Sequence, residues 1–301
     1  MPLAGSPEQS ISRSGFLQLQ EQIKFRQLEA AFEYFDYRKK PSFRSCTAPR
    51  SCLGTCAAML YDGMIRIVDS EGQPLEAAWD PNDYLSLIGE VTEDWSYLKF
   101  PFYRPQGPDE GAYRVGPLAR LNAVRGVPTP LAASEWELFR QQTNGKPVPG
   151  SRYYHWARLV EILYCLERAA ALLDDPDILG TDLVATSNEV HPEGIGVLEA
   201  PRGTLIHHYW ANPDGSIAKA NFIVATGHNT AAMNRAVLEV AKQYVDGTNL
   251  QEGMLNRVEA AIRCYDPCLS CSTHAVGQMP LVVKLASPQG EVLSVVARGG
   301  A

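Results

Sequence analysis

Three cysteines and a histidine lie close together between residues 264 and 274. Cys268 and Cys271 have CxxC spacing, Cys264 precedes them by one helical turn, and His274 follows three residues later. Pro267 stands directly before the CxxC and predicts a turn, in which two sulfurs can converge on one centre. A bound metal would deprotonate both sulfurs, and thiolates select soft or borderline metals such as nickel, iron, zinc and Cu(I). The pattern therefore predicts a metal site.

The spacing alone leaves several interpretations open. Cys264, Cys268, Cys271 and His274 could close a structural zinc site. The three cysteines also match the cluster spacing of radical-SAM enzymes, although that motif belongs at an early strand of a barrel and little chain follows it here. A disulfide or an unused CxxC is the simplest alternative. Cys165 stands apart, inside an apolar helical pattern, and is predicted to be a core residue.

Composition and charge restrict the class of protein. Of the 301 residues, 45% are hydrophobic and 20% are charged, which is typical of a folded protein with a sizeable core. The net charge of -7 argues against a nucleic-acid partner, because phosphate binding needs clustered Lys and Arg. No apolar run approaches the roughly 18 residues of a membrane span, and no secretory signal pattern opens the sequence. We expect a cytoplasmic protein.

Hydrophobic periodicity predicts the elements that position these residues. The fold class that it favours is mainly α, a helical-bundle core with small peripheral β-hairpins. Residues 11–37 have some helical character, and residues 81–130 read as an irregular, aromatic-rich stretch. The clearer elements are helices over residues 151–174, 229–245 and 250–264, a strand over 216–225, and hairpins over 59–80 and 281–298.

The helix predicted over residues 151–174 carries an apolar stripe that we expect to be buried. The members of this stripe are Trp156, Leu159, Val160, Leu163, Leu166, Ala170 and Leu173. Asp175 and Pro176 end the helix, because the residue before a proline avoids the helical conformation.

Four segments carry a more specific likeness. Residues 266–274 read DPCLSCSTH, residues 199–208 read EAPRGTLIHH, and residues 225–237 read ATGHNTAAMNRAV. Together they resemble the nickel-binding large subunit of [NiFe] hydrogenases, whose C-terminal signature is DPCxxCxxH. Residues 95–122, WSYLKFPFYRPQGPDEGAYRVGPLARLN, are similar to the cytoplasmic, NAD-reducing, bidirectional branch of that family.

The resemblance implies a Ni–Fe(CN)2CO centre and reversible heterolytic cleavage of H2. On the family pattern Cys268 is a terminal nickel ligand and first proton acceptor, and Cys271 bridges nickel and iron. Arg202 matches the arginine that overhangs the metals, where a fixed cation stabilises negative charge. His274 matches the residue that helps to hold Mg2+ or a similar ion.

The resemblance also implies a set of neighbours and partners. His207 belongs beside the metal pocket, and Glu199 is a proton relay or a structural partner, with the structural role favoured. Electrons would pass first to an iron–sulfur small subunit, then to diaphorase subunits, which would bind NAD, since this sequence has no GxGxxG after a strand. Nickel-insertion proteins and a maturation endopeptidase, which cuts after His274, are further partners. An F420-linked or heterodisulfide-linked hydrogenase is the alternative within the family.

One family element has no clear match. The family carries a second CxxC within RxCGxC near its N-terminus, whereas the nearest segment here, Arg50 to Cys56, is CxxxC with a misplaced glycine. We interpret residues 1–57 as an atypical segment, disordered or out of frame, residues 58–274 as the hydrogenase C-terminal region, and residues 275–301 as a cleavable extension. A catalytically incompetent fragment, or an assembly or metal-binding protein, is therefore the alternative function. A core without half of its helices would also expose apolar surface.

The hairpin predicted in residues 275–301 gives a first test. If this hairpin holds the cysteine loop open until metal arrives, a chain that ends at His274 will fail to take up nickel. The nickel content of the shortened chain and of the full chain is measured after incubation with Ni2+ under reducing conditions. Normal nickel loading of the shortened chain would contradict the idea.

Overall fold

The structure is a computed structural model, and it describes eight ranges of the chain. Cys271, His274 and the segment from Arg50 to Cys56 lie outside these ranges. The described ranges are residues 28–33, 64–75, 80–94, 96–181, 190–245, 251–268, 281–287 and 289–298.

Helices and short strands are interspersed along the described chain. None of the described helices is long and apolar enough to span a membrane. The helices are α1 Tyr84–Leu87, α2 Gly107–Glu110, α3 Pro117–Ala123, α4 Pro130–Gln141, α5 Tyr153–Leu173, α6 Ala225–His228, α7 Thr230–Tyr244 and α8 Glu252–Cys264. The strands are β1 Leu28–Glu33, β2 Met64–Val68, β3 Ile88–Glu93, β4 Ser96–Tyr103, β5 Tyr113–Arg114, β6 Glu193–Ala200, β7 Gly203–Ala211, β8 Ile217–Ile223, β9 Leu281–Ala286 and β10 Val292–Arg298.

Within the described ranges the strands form small sheets. Strands β6, β7 and β8 make an antiparallel meander, and β3–β4 and β9–β10 are separate hairpins. Strand β1 lies between β2, which runs antiparallel to it, and β5, which runs parallel to it. The helical-bundle fold class and the three-part division of the chain stay predictions, because helices and sheets both contribute to the described structure.

The long periodic elements confirm their predictions. Helices α5, α7 and α8 and strand β8 lie where the sequence pattern places them. The predicted hairpin at residues 281–298 is formed by β9 and β10. In the predicted hairpin at residues 59–80, β2 is a strand, and a turn follows in which the Leu75 amide donates to the Ile67 carbonyl at 3.0 Å.

Two predictions of local structure are wrong. Residues 81–130 are not an irregular stretch but contain the strands β3, β4 and β5 and the helix α3. Prolines and aromatic residues obscure the apolar–polar alternation of the strands. The helical character of residues 11–37 is wrong over β1, because β1 gains backbone pairing with both β2 and β5, and such tertiary pairing overrides a weak local preference.

The buried face of α5 also differs from the prediction. Only Val160 of the predicted stripe is buried, and Tyr154, Ala157 and Tyr164 complete the buried face. The single-stripe prediction is wrong because α5 is apolar on more than one face and only one of them packs into the described core. Cys165 is exposed, so its predicted place in the core is wrong as well. The other stripe members are exposed (Leu159, Leu166, Ala170, Leu173) or half-buried (Trp156, Leu163).

Two hydrophobic clusters flank the central helix α3. The helical cluster joins α3, α4, α5 and α7 to the end of α8, with Phe139 and Tyr154 among its large buried residues. The sheet cluster joins β2, α1 and the β3–β4 hairpin to β5, β7 and β8, around Tyr84 and Ile206. All residues of α3 are buried, and the helix packs against both β1 and α5.

The turn between β6 and β7 approaches the start of α3 at two glycines. Gly203 has a φ of +138°, and a Cβ atom on it would lie 2.1 Å from Val115 Cγ2. Gly116 has a φ of +95°, and a Cβ atom there would lie 2.8 Å from the Arg202 carbonyl oxygen. Both the backbone conformation and the lack of space require glycine, so this pair sets how closely the turn lies against α3.

Replacing the first of these glycines should destabilise the protein. We expect Gly203→Ala to lower the free energy of unfolding by about 2–4 kcal/mol, because steric overlap and a left-handed backbone each cost about 1–3 kcal/mol. Urea denaturation at neutral pH measures the change. The matched control is Gly194→Ala on the same hairpin, where a Cβ atom meets nothing within 4 Å. Equal losses at the two positions would contradict the steric argument.

Candidate metal centre

The β6–β7 hairpin presents Arg202 to the segment that leads into the CxxC. Ala200 pairs with Gly203, so Pro201 and Arg202 form a tight turn. The Arg202 Nε atom donates to the Asp266 carbonyl oxygen at 2.6 Å and lies 3.3 Å from the Asp266 carboxylate. Arg202 is therefore tethered two residues before Cys268.

The chain turns sharply between α8 and Cys268. Asp266 has a φ of +50°, a left-handed conformation that Asp adopts more readily than most residues. Pro267 follows, and the Cys268 amide then donates to Thr226 Oγ1 at 3.2 Å. Among the described residues Cys268 is thus fixed by its backbone.

Thr226 stands on α6, which opens the segment ATGHN. Thr226 and Asn229 are both buried. Asn229 Oδ1 accepts the Val115 amide at 2.8 Å, and the Tyr154 hydroxyl donates to the Val115 carbonyl at 2.7 Å. Through Val115, the residue before Gly116, these bonds connect Asn229, which directly follows α6, to Tyr154 of α5. The segment that holds Cys268 is therefore fastened to the same backbone that receives the Arg202 turn.

His228, on the same helix, is a buried neutral imidazole. Burial lowers the pKa of His228 to about 4, with only partial compensation from the Ile223 carbonyl. Burial likewise raises the pKa of Tyr113 well above its ordinary value, so the Tyr113 hydroxyl keeps its proton, and its oxygen lies 2.5 Å from His228 Nδ1. This pair is a packing contact of α6 rather than a charged group.

A buried ion-pair network anchors the backbone of the β6–β7 turn that carries Arg202. Arg120 of α3 donates to Glu161 of α5 at 2.5 and 2.7 Å and to Glu199 of β6 at 2.6 Å. The same guanidinium donates to the carbonyl oxygens of Ala200 and Pro201, at 2.9 and 3.2 Å. One side chain therefore anchors both α5 and the backbone of the turn.

The charges in this network stabilise one another. Burial opposes ionisation of Arg120, but Glu161 and Glu199 more than offset it and raise the Arg120 pKa. Burial raises the pKa of Glu199, while Arg120 and the Thr204 hydroxyl, which donates at 2.6 Å, lower it in part. These contacts favour the structural role for Glu199 over a proton relay.

The two histidines of the EAPRG segment point to opposite faces of β7. His207 contacts Tyr209 and Phe222, and the Tyr209 hydroxyl lies 3.0 Å from His207 Nδ1. His208 is buried, 3.1 Å from the Tyr84 hydroxyl and 2.8 Å from Glu193. None of the contacts described for His207 reaches Arg202 or Cys268, so its expected place beside the pocket gains no support.

Cys264 is separated from the CxxC by its packing. Its thiol donates to the Ala260 carbonyl of α8 at 3.2 Å, and burial raises its pKa to about 11. In the part of the chain that the structure describes, no group of three or more His, Cys, Asp or Glu could hold a metal ion; the positions of Cys271 and His274 are not among those described.

Comparison with known proteins decides the family. The model of the nickel-dependent hydrogenases matches residues 67–274, which is more than half of the chain. The chain belongs to the nickel-dependent hydrogenase family. This confirms the resemblance that the EAPRG, ATGHN and DPCLSC segments carry.

Relatives from bacteria and archaea support the assignment. The beta subunit of the NAD-reducing hydrogenase HoxS of Cupriavidus necator is 45% identical over 241 residues, which are 79% of this chain and 49% of the relative. The F420-non-reducing hydrogenase vhc of Methanococcus voltae has one subunit that is 42% identical over 238 residues, 77% of this chain and 49% of the relative. The chain spans about half the length of the curated relatives it matches.

Solved structures share the fold. A NAD+-reducing [NiFe]-hydrogenase in the H2-reduced state has a TM-score of 0.75 and 38% identity, covering 87% of this chain and 53% of that one. The Ni-Fe-Se hydrogenase of D. vulgaris Hildenborough, in its as-isolated oxidised state, has a TM-score of 0.54 and 18% identity, covering 87% of this chain and 55% of that one. At that identity the second match shows the fold alone.

Sequence reasoning missed the residues that position the site. Arg120 stands inside the apolar run GPLARLNA, where a lone charge signals a buried ion pair. Thr226 and Asn229 carry no such signal, because small polar residues at the start of a helix are usually caps. Their hydrogen bonds to Cys268 and Val115 depend on tertiary contacts.

Removing the Arg120 charge tests the network. We expect Arg120→Met to lower the free energy of unfolding by about 3–5 kcal/mol at pH 7, since two carboxylates lose a buried partner. The deficit should shrink at acidic pH, where a proton can replace the lost cation on Glu199. Urea denaturation at several pH values measures both effects.

The control for this substitution is an exposed ion pair with a similar distance between its nitrogen and oxygen atoms. Lys146 Nζ lies 2.6 Å from Glu71, and both side chains are largely exposed. Lys146→Met should leave the free energy of unfolding nearly unchanged, because solvent and salt screen an exposed ion pair. If Arg120→Met cost no more than this control, the network would not anchor the turn.

Proposed function

We propose that this chain forms the C-terminal half of the catalytic subunit of a [NiFe] hydrogenase, which cleaves H2 heterolytically and reversibly. The observation that carries the proposal is the tether from Arg202 to Asp266, beside a Cys268 whose amide is held by Thr226. Three segments that are far apart in the sequence thereby meet at residues 266–268. The family membership supplies the chemistry that this arrangement would serve.

The residues fit one half of the donor set of a nickel–iron centre. Cys268 would be a sulfur donor, and Arg202, bonded to Asp266 two residues earlier, would be a cation near a centre that carries anionic ligands. Cys271 and His274 would complete this half: Cys268 and Cys271 would hold the nickel–iron group, and His274 would help to hold a Mg2+ or similar ion. The second thiolate pair, within RxCGxC, has no match in the sequence.

The chain's own residues would act as follows. When bound, the nickel–iron group supplies the electrophile that polarises H2 for cleavage. Cys268 Sγ, as the thiolate, would accept the proton. Arg202 would hold negative charge beside the centre without reorganisation, because the Asp266 carbonyl and carboxylate fix its guanidinium. Thr226 would keep the Cys268 backbone in place while H2 is cleaved and while the thiolate accepts the proton.

The partners of the assembled enzyme follow from the relatives. The 45% identity to the beta subunit of a NAD-reducing hydrogenase supports electron transfer through an iron–sulfur small subunit to diaphorase subunits in the cytoplasm. An F420-linked or heterodisulfide-linked hydrogenase is the alternative within the family, but the relative from Methanococcus voltae is an F420-non-reducing hydrogenase and does not support the F420-linked form. Nickel-insertion proteins and an endopeptidase that removes residues 275–301 would complete maturation.

A second candidate function needs fewer ligands. The chain matches about half of its relatives' length, and its sequence lacks the second thiolate pair. A fragment without hydrogenase activity, which binds one metal ion or assists assembly, agrees with both facts. Zinc on the two cysteines would be its signature.

Metal binding by the reduced full-length chain separates the two candidates. We expect Ni2+ binding, detected by thiolate-to-nickel charge-transfer absorption and by metal analysis. Cys268→Ser should weaken binding by about 100-fold or more, because even a residue that only orients a ligand contributes about 10–100-fold. Cys165→Ser, at an exposed cysteine outside the motif, is the control and should bind nickel normally.

Two other outcomes would count against the hydrogenase proposal. Tight binding of one zinc ion with no measurable nickel binding would favour the smaller metal-binding role. Unchanged nickel affinity in Cys268→Ser would remove Cys268 from the ligand set.

A further inference from the structure

A small cavity lies inside the sheet cluster, beside the imidazole of His228. Most of its lining is apolar and includes Ile65, Ile67 and Ile88. His228 and Thr204 belong to the same lining. The cavity has a volume of about 10 Å³, and a buried water molecule needs roughly 10–15 Å³. The space is therefore matched to a single water molecule and is too small for an organic ligand.

One ring nitrogen of His228 has no hydrogen-bond partner among the described residues. Nδ1 lies 2.5 Å from the Tyr113 hydroxyl, whereas Nε2 is buried and unpaired. The Ile223 carbonyl lies close enough to act on the ring, but it makes no hydrogen bond with Nε2. Most buried polar atoms in folded proteins are paired, either with protein groups or with ordered water. An unpaired Nε2 on a residue that lines a water-sized cavity therefore indicates a bound molecule.

His208 is the opposite case, and its ring also packs near the sheet cluster. His208 and His228 are each only 1% exposed. In His208, however, Nδ1 lies 3.1 Å from the Tyr84 hydroxyl and Nε2 lies 2.8 Å from the Glu193 carboxylate. The two imidazoles are thus equally buried and differ in whether Nε2 has a protein partner. His208 needs no water, which makes it an internal control.

The surroundings of His228 restrict the ligand to a small neutral molecule. The His228 ring is neutral at pH 7, and Nε2 presents either an N–H donor or a lone pair, depending on the tautomer. Water suits both cases, because it donates and accepts hydrogen bonds. An ion would lose its hydration among apolar side chains. Moreover, no group of three or more His, Cys, Asp or Glu in the described ranges could hold a metal ion.

We propose that this cavity binds one long-lived water molecule, which hydrogen-bonds to His228 Nε2 and donates to the Thr204 hydroxyl oxygen. That hydroxyl gives its only proton to Glu199, at 2.6 Å, and its oxygen can still accept a hydrogen bond. The water would extend the Arg120 network from Glu199 to α6, the helix that carries Thr226. This proposal goes beyond the proposed function and needs neither bound metal nor hydrogenase activity.

Water NMR on the reduced full chain tests the proposal. The histidines are labelled with 15N and 13C, and cross-relaxation between water and the ring protons is measured at pH 7. We expect a cross-peak from water to the His228 ring, with the sign of a molecule that stays bound for longer than the protein takes to tumble. The His208 ring should show no such cross-peak. Thr204→Val keeps the shape of the side chain but removes one partner of the water, so it should remove the cross-peak at His228.

Two variants secure the assignment of the ring signals. His228→Gln identifies the His228 signals by their loss. Tyr113→Phe, which should shift the same signals, identifies them independently if His228→Gln does not fold. Circular dichroism checks that each variant, including Thr204→Val, keeps the fold.

Each result supports or overturns the proposal. A cross-peak that appears at His228 but not at His208, and that Thr204→Val removes, supports it. Sharp His228 signals without a water cross-peak would show a dry cavity and overturn it. Equal cross-peaks at both rings overturn it as well, because they report solvent that penetrates the whole cluster. A cross-peak that survives Thr204→Val unchanged overturns the link from the water to Glu199.

Discussion

The Arg120 guanidinium imposes the constraint on which the rest of the site depends. A full positive charge in a wholly buried helix is tolerated only where carboxylates and carbonyl oxygens surround it. Glu161 and Glu199 supply the opposite charge, and the Ala200 and Pro201 carbonyls take the remaining donors. Because these groups belong to α3, α5 and the β6–β7 turn, the electrostatic requirement of one side chain fixes three elements together.

The path from this anchor to the CxxC is short. Arg120 holds the backbone of the turn, Arg202 reaches from the turn to Asp266, and Thr226 holds the amide of Cys268. The glycines at positions 116 and 203 allow the turn to lie against α3 at van der Waals distance. Arg202 and the backbone of Cys268 are therefore both held by hydrogen bonds to residues of other segments.

Local sequence patterns determined only part of this arrangement. Helices α5, α7 and α8 were predictable because their apolar periodicity is long and their ends carry Pro or Asn signals. Cys268 was predicted to bind metal from the CxxC spacing, whereas the role predicted for Arg202 came from family likeness alone. The network around Arg120 joins residues that are 41 and 79 positions apart, and no local pattern encodes such pairing.

The way in which Arg120 holds the β6–β7 turn has a consequence for engineering. At Ala200 and Pro201 the guanidinium binds main-chain oxygens and leaves both side chains out of the contact. The path of the backbone is thus specified independently of the side chains that the turn displays. The side chains at positions 200 and 201, next to Arg202, can therefore be varied in libraries while the backbone of the turn that carries Arg202 keeps its conformation.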